Sequence, residues 1–205
     1  MQRRGCNVVS QLTGLGKASK LAHLWQAPFT LHSSLLKAVH NETQIAKSGK
    51  PAAIIAKMNS LLDAHIIRAL YEASCAGVKI DLIVRGACAL RPGIPGVSEN
   101  IRVRSVIGRF LEHSRIFYFS NDGKQDVYLS SADWMDRNFF RRIEVCFPVL
   151  NTRLKSRIIS EGLKLYLKDN CQAWEMDGEG VYTRKKPRKG QAHHAQQTLL
   201  GSMSI

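Results

Sequence analysis

The chain has 205 residues, 44% hydrophobic and 22% charged, a composition that fits one well-filled globular core and excludes a chain too polar to fold. Thirty Lys and Arg stand against sixteen Asp and Glu, a formal charge of +14, and so large a positive field favours an anionic partner: nucleic acid, a membrane surface or any other dense row of phosphates. The five cysteines never fall in a Cys-x-x-Cys pair, which argues against a disulfide framework or zinc site, and no apolar run approaches the roughly 20 residues that span a bilayer.

Residues 1–27 show little periodic structure and read as a lead-in without a secretory leader's apolar stretch. From Pro28 the apolar residues Leu31, Leu35, Leu36, Val39 and Ile45 recur at helical spacing, and Ser48-Gly49-Lys50-Pro51 is a strong stop. Ala52 to Met58 reads as a buried strand, Leu61 to Ala76 as a helix closed by Gly77, and Lys79 to Val84 as a β-branched strand. Strand, helix, strand in that order predicts a right-handed parallel crossover, hence an α/β domain.

Arg91 to Asn100, rich in Pro and Gly, is a loop. Four further strands are predicted at Ile101 to Val106, Arg115 to Phe119, Asp126 to Leu129 and Arg142 to Val149, the middle two joined by a hairpin turn at Asn121-Asp122-Gly123. A helix from Thr152 to about Leu167 carries Leu154, Ile158, Ile159, Leu163 and Leu167 on one face. From Arg184 onward apolar residues are few, and residues 184–205 are expected to be a basic, disordered tail.

Ligands of parallel sheets sit beyond the carboxyl ends of the strands, which directs attention to Lys57 and Asn59, to Arg85, and to Ser130, Ser131 and Asp133. Arg85 ends the apolar run Ile80 to Val84, so its charge must be answered by a phosphate or by a carboxylate such as Asp81 or Asp63. Gly86 after it allows close backbone approach. His113 lies between Arg109 and Arg115 with Glu112 before it, a setting that favours a neutral imidazole able to serve as base or phosphate partner. Ser130 and Ser131 offer hydroxyls to a phosphate or an ordinary helix N-cap. His193 and His194 read as solvated residues.

The run from Pro51 to Asp63, the segment VRGAC with its Pro- and Gly-rich loop, and the blocks RSVIGRFLEHSRIFYF, VYLSSADWMDRN and RRIEVCFPV resemble, in order and spacing, the C-terminal domain of polyphosphate kinase, from about Leu12 to Arg184. The resemblance implies a phospholipase D-like domain, a mixed α/β sheet flanked by helices, one of two similar domains that face each other across an active site. It implies reversible transfer of the terminal phosphoryl group of ATP to polyphosphate through a phosphohistidine, with Arg85 and His113 contacting nucleotide or phosphate. His113 stands where the superfamily's His-x-Lys motif has its histidine, but Arg115 takes the lysine position and Ser120 the aspartate position. A supporting role therefore suits His113 better than that of covalent nucleophile.

Complete family members are several times longer, and the resemblance places the phosphohistidine, the magnesium ligands and an ATP-binding asparagine in domains upstream. The expectation is a fragment: residues 1–27 the remnant of a junction, residues 28–183 the domain, with no metal site of its own. ATP and polyphosphate are the expected ligands, and the missing kinase half or a second copy the expected protein partner. The place expected is the cytoplasm, at the membrane periphery within a kinase complex. Two other readings compete. A non-catalytic nucleic-acid or polyanion binder follows from the charge, although Phe110, Phe117, Tyr118 and Phe119 stand in apolar surroundings rather than among exposed basic residues. A phospholipase D-like phosphodiesterase follows from fold kinship, weakened by the altered motif.

Overall fold

The computed structural model describes residues 23–187 and 190–203. Among them, nine strands form one mixed sheet: β1 (Trp25–Ala27), β2 (Ala53–Met58), β3 (Lys79–Val84), β4 (Ile101–Val106), β5 (Arg115–Phe119), β6 (Asp126–Ser130), β7 (Glu144–Pro148), β8 (Ala173–Met176) and β9 (Tyr182–Arg184). Their order is β1-β7-β6-β5-β2-β3-β4-β8-β9. The pairs β2–β3 and β3–β4 are parallel and the rest antiparallel, so the predicted crossover forms the middle of the sheet.

The two-residue period of the strands sorts side chains between two cores. Ile54, Ala56 and Met58 of β2, with Leu82 and Val84 of β3, join Leu31, Leu35 and Val39 of α1 (Leu31–Lys47) and Ile66 and Leu70 of α2 (Ala64–Cys75). Ile55, Ile83, Val106 and Ile116 join Ile159, Leu163 and Tyr166 on the other face. That second layer is a helical run in three parts: α4 (Thr152–Arg157), a π-helical stretch (Ile158–Lys164) and α5 (Leu165–Lys168). The short α3 (Asp136–Phe140) precedes β7, and α6 (Ala195–Met203) closes the described chain.

Several expectations need correction. Helix α2 starts three residues later than Leu61, because the side chain of Asp63 accepts the Ile66 N–H at 2.8 Å and so caps the helix. Leu61 stays extended instead, bridging Cys88 and Trp134. Trp25–Ala27, assigned to the lead-in, is an edge strand paired with β7; the rest of that lead-in, residues 1–22, lies outside the described residues. The helix from Thr152 widens to π geometry, where Gly162 lets the backbone press so close to β5 that an added Cβ would meet Ile116 Cδ1 at 2.5 Å. Leu154, predicted on its apolar face, is 51% exposed.

The segment expected as a disordered tail, residues 184–205, begins on the last residue of β9 and holds α6. Its low apolar content is offset by tertiary hydrogen bonds: buried Asp169 accepts the Ala195 N–H at 2.8 Å, and the Asn170 side chain binds the His193 N–H and the Gln191 carbonyl, each at 2.8 Å. Composition alone cannot register such partners.

Candidate functional site

Strands β2, β3 and β4 run the same way, so their carboxyl ends share one edge. Antiparallel β5 starts at that edge and β6 returns to it. Lys57 to Asn59, Arg85, the residues before Arg115 and those after Ser130 are therefore gathered along one rim.

Arg85 is half-buried there. Its backbone is fixed on both sides, N–H to the Met58 carbonyl at 3.3 Å and carbonyl to the Ser105 hydroxyl at 3.2 Å. Its guanidinium has no ion pair and no hydrogen bond among the described residues. Both carboxylates considered as partners are engaged elsewhere. Asp81 takes Arg102 through two bonds of 2.8 and 3.1 Å, and Asp63 caps α2 while meeting His32 Nε2 at 3.2 Å. Beside Arg85 lies a pocket of about 310 Å³, lined by Arg85, Gly86, Ser105, Ile107, Trp174 and Tyr182. A larger groove, about 560 Å³, lies along α1 and α2 and includes Lys37, His65 and Arg68 but none of the rim residues.

Gly86 does allow a close approach, but to protein. A Cβ on it would stand 2.9 Å from the Asn59 carbonyl oxygen, which already accepts the Gly86 N–H at 2.7 Å. Its absent side chain thus joins two strand ends and is no argument for a ligand.

His113 is exposed on the segment leading into β5, and its carbonyl accepts Arg115 Nη1 at 3.0 Å. The rest of the Arg115 guanidinium turns to Asp133, Nε to Oδ1 at 3.1 Å and Nη2 to Oδ2 at 3.0 Å. Asp133 also accepts the Asn59 N–H at 2.7 Å. Arg115, one of the two cations that the sequence sets beside His113, is thus paired with Asp133; Arg109 lies over the Phe110 ring at 5.6 Å.

The predicted roles of the two serines also change. Ser130 donates to the Val145 carbonyl at 3.1 Å, and Ser131 bonds the Glu144 carboxylate, so both hydroxyls tie the β6 end to β7. Neither caps α3, whose N-cap residue is Met135 without a side-chain bond. Asn59 Oδ1 is buried without a hydrogen-bond partner among the described residues.

Lys57 is the least accessible of the charged rim residues, 3% exposed. It faces the second core, where its Nζ meets Glu112 Oε2 at 2.8 Å and stands 3.3 Å from the centroid of the Tyr166 ring. Glu112 Oε1 accepts Tyr166 Oη at 2.9 Å and Gln196 Nε2 at 2.7 Å. The gap left between Lys57, Arg85, Glu112, Ser114 and Tyr166 is about 10 Å³, no room for a ligand. Burial draws the Lys57 ammonium below its usual range, opposed by Glu112. Burial raises Glu112, but the hydrogen bond and charge of Lys57, then Gln196 and Tyr166, bring it below the ordinary carboxylate range. Burial, then Glu112, push the Tyr166 hydroxyl well up.

Glu112, Tyr166 and Gln196 do not stand out in the sequence. One signal was present: a lysine inside the apolar run of β2 must find a carboxylate, and Glu112 adjoins His113. Among the described residues no group of three or more His, Cys, Asp or Glu could hold a metal ion. No described helix is long and apolar enough to cross a membrane.

The fold and its rim define an α/β domain with a mixed sheet flanked by helices, presenting at the carboxyl ends of its parallel strands, where such sheets take ligands, an arginine with no partner among the described residues. Residues 24–197 match the family described as polyphosphate kinase C-terminal domain 2, and the chain belongs to that family. It is 60% identical over 195 residues to the polyphosphate kinase of Paraburkholderia phytofirmans and 58% identical over 183 residues to that of Burkholderia multivorans. The alignments cover 95% and 89% of this chain but 28% and 27% of those relatives, so the chain spans little more than a quarter of their length. A crystal structure of polyphosphate kinase from Porphyromonas gingivalis superposes with a TM-score of 0.90 at 38% identity, covering 97% of this chain and 31% of that one. A fainter likeness, TM-score 0.48 at 16% identity over 67% of this chain and 88% of the other, is to Nuc of Salmonella typhimurium, a phospholipase D family member.

Proposed function

We propose that this chain is the part of a polyphosphate kinase that grips the phosphates of ATP and polyphosphate through Arg85 and His113 during reversible transfer of the terminal phosphoryl group. In that reaction the bond between the terminal phosphorus of ATP and its bridging oxygen breaks, the phosphoryl group passes to a histidine nitrogen on the rest of the kinase, and ADP leaves. A terminal oxygen of polyphosphate then takes the group from the histidine. Charge on the phosphoryl oxygens must be met at fixed positions in such a loose transition state, and a guanidinium fork is suited to that task. The exposed imidazole of His113 supplies a hydrogen bond or holds a proton near the same oxygens.

The observation that carries this reading is the guanidinium of Arg85, half-buried at a strand end and without a partner among the described residues, while Asp81 and Asp63 are both engaged. A cation so placed is set for an anionic ligand. Transfer of label from the terminal phosphate of ATP into acid-insoluble polyphosphate, with the remainder of a kinase supplied in trans, tests it. The expected result is transfer that Arg85→Ala abolishes. Absence of transfer together with absence of polyphosphate binding to the chain would end the proposal.

A further inference from the structure

Gln196 sits outside the rim, on the first turn of α6, yet it reaches the segment that carries His113. Its Oε1 accepts the Phe110 N–H at 3.1 Å, and its Nε2 donates to the Phe110 carbonyl at 2.8 Å and to Glu112 Oε1 at 2.7 Å. One primary amide thus satisfies both backbone groups of a single loop residue, with both donors used. The seat is cut to fit: a Cβ on Gly108 would lie 2.3 Å from Gln196 Oε1 and 2.8 Å from its Cδ. Gln196 is 4% exposed, and next to it Ala195 is buried with its N–H on Asp169. The loop gains little anchoring from its apolar residues, since Ile107, Phe110 and Leu111 are all exposed.

We propose that Gln196 is a positioning residue for phosphate binding: it clasps Phe110 and Glu112 and so fixes the stretch from Phe110 to Ser114, with His113, against the Arg85 rim. Ser114 and Glu112 pack against Arg85 around the same narrow gap, so play in this stretch is felt beside that guanidinium. The inference rests on the anion-binding reading of Arg85 and His113, and adds that the end of the chain sets their geometry. A loop placed correctly about one tenth of the time binds about tenfold more weakly.

The test uses the full chain and two variants that attack the clasp from opposite sides. Gln196→Ala removes the amide. Gly108→Ala fills its seat, and the side chain it displaces is flexible enough for the sheet to survive. Hydrogen exchange without ligand, followed by titration with long-chain polyphosphate, is run on both variants and on Arg85→Ala. Expected are faster exchange from Phe110 to Ser114 with unchanged exchange in β2 and β3, and polyphosphate binding weakened about tenfold in both clasp variants.

Gln196→Glu adds a readout that a merely structural glutamine would not give. At neutral pH its carboxylate faces Glu112 and the Phe110 carbonyl and repels both; as pH falls towards about 5 it takes a proton, donates again and recovers binding relative to the parent chain. Unchanged exchange in the loop, or faster exchange with full binding, overturns the inference. Weaker binding in Arg85→Ala alone overturns the clasp and leaves the anion reading standing; full binding in all three variants overturns both. Should Gln196→Ala unfold, Gly108→Ala decides.

Discussion

Arg115 and Asp133 meet through two parallel hydrogen bonds, Nε to Oδ1 at 3.1 Å and Nη2 to Oδ2 at 3.0 Å, with only 11% and 8% of their side chains exposed. The pair joins the start of β5 to the turn after β6, and through the Asn59 N–H it reaches the end of β2. A charge bound this way belongs to the scaffold rather than to a ligand.

Arg115→Ala should therefore destabilise the chain by about 3–5 kcal/mol, the usual result of stranding one partner of a buried pair. Arg115→Lys restores the His-x-Lys spelling but loses the planar fork, and should cost about 1–3 kcal/mol without creating phosphodiesterase activity. Denaturant unfolding and hydrolysis of a generic phosphodiester check the two statements. Hydrolysis by the lysine variant that disappears with His113→Ala would show that Arg115 had been masking a competent site.

Arg85→Ala should do the reverse. Its guanidinium has no partner among the described residues, so its loss should leave the melting temperature nearly unchanged, within the range of ordinary surface substitutions of about 0.5 kcal/mol. Polyphosphate binding should weaken, and the slope of log affinity against log salt should fall by about one, as for one lost phosphate contact. Calorimetric melts and titrations at several salt concentrations separate the two effects. A large drop in stability with no change in salt slope would make Arg85 structural.

The contrast between these arginines marks how far the sequence could be read. Lys79 to Val84 is a strand over the predicted residues, because an unbroken β-branched run suits the middle of a parallel sheet. The turn at Asn121-Asp122-Gly123 joins β5 to β6 with all three residues at positive φ, a conformation these types tolerate. Strand order then places Arg85 and the approach to Arg115 at one edge. Which arginine was free could not be read, because the partner of Arg115 lies on another strand's end and residue type does not encode a long-range pairing. Trp25–Ala27 is too short to show a period, and α6 with the turn before it is held by Asp169, Asn170 and Phe110, residues remote from it in the chain.

The Lys57–Glu112 pair should govern acid stability. Glu112 is drawn below the ordinary carboxylate range in the fold, so its contribution is full above the unfolded value of about 4.3 and is lost as pH falls through the lower folded value. Glu112→Gln should cost about 3–5 kcal/mol near neutrality, because Lys57 remains buried without a counter-charge. The gap between variant and parent should then close in acid. In the variant the depressed Lys57 leaves the unfolded chain with more protons at alkaline pH, so stability should rise as pH approaches about 10.4. Unfolding midpoints from about pH 2.5 to 10 test both limbs; a gap independent of pH would mean that Glu112 acts by packing alone.

Gly86 offers the sharpest test of how stiff the rim is. Its backbone has no positive φ, so alanine is allowed by conformation and should even lower the entropy of the unfolded chain. Against that stands a Cβ 2.9 Å from the Asn59 carbonyl, a backbone atom that cannot swing aside. Asn59 is held by its own N–H on Asp133, and Asp133 by Arg115, so relief must come from parting the ends of β2 and β3 by a few tenths of an ångström. Overpacking of this kind costs about 1–3 kcal/mol. Because Arg85 precedes Gly86, the same shift should move the guanidinium and weaken polyphosphate binding more than the lost stability explains. Melts and titrations of Gly86→Ala at one temperature, well below its midpoint, give both quantities. Full affinity in a destabilised variant would show that Arg85 finds its ligand without help from the strand ends, and an undisturbed melt would show that those ends are slack.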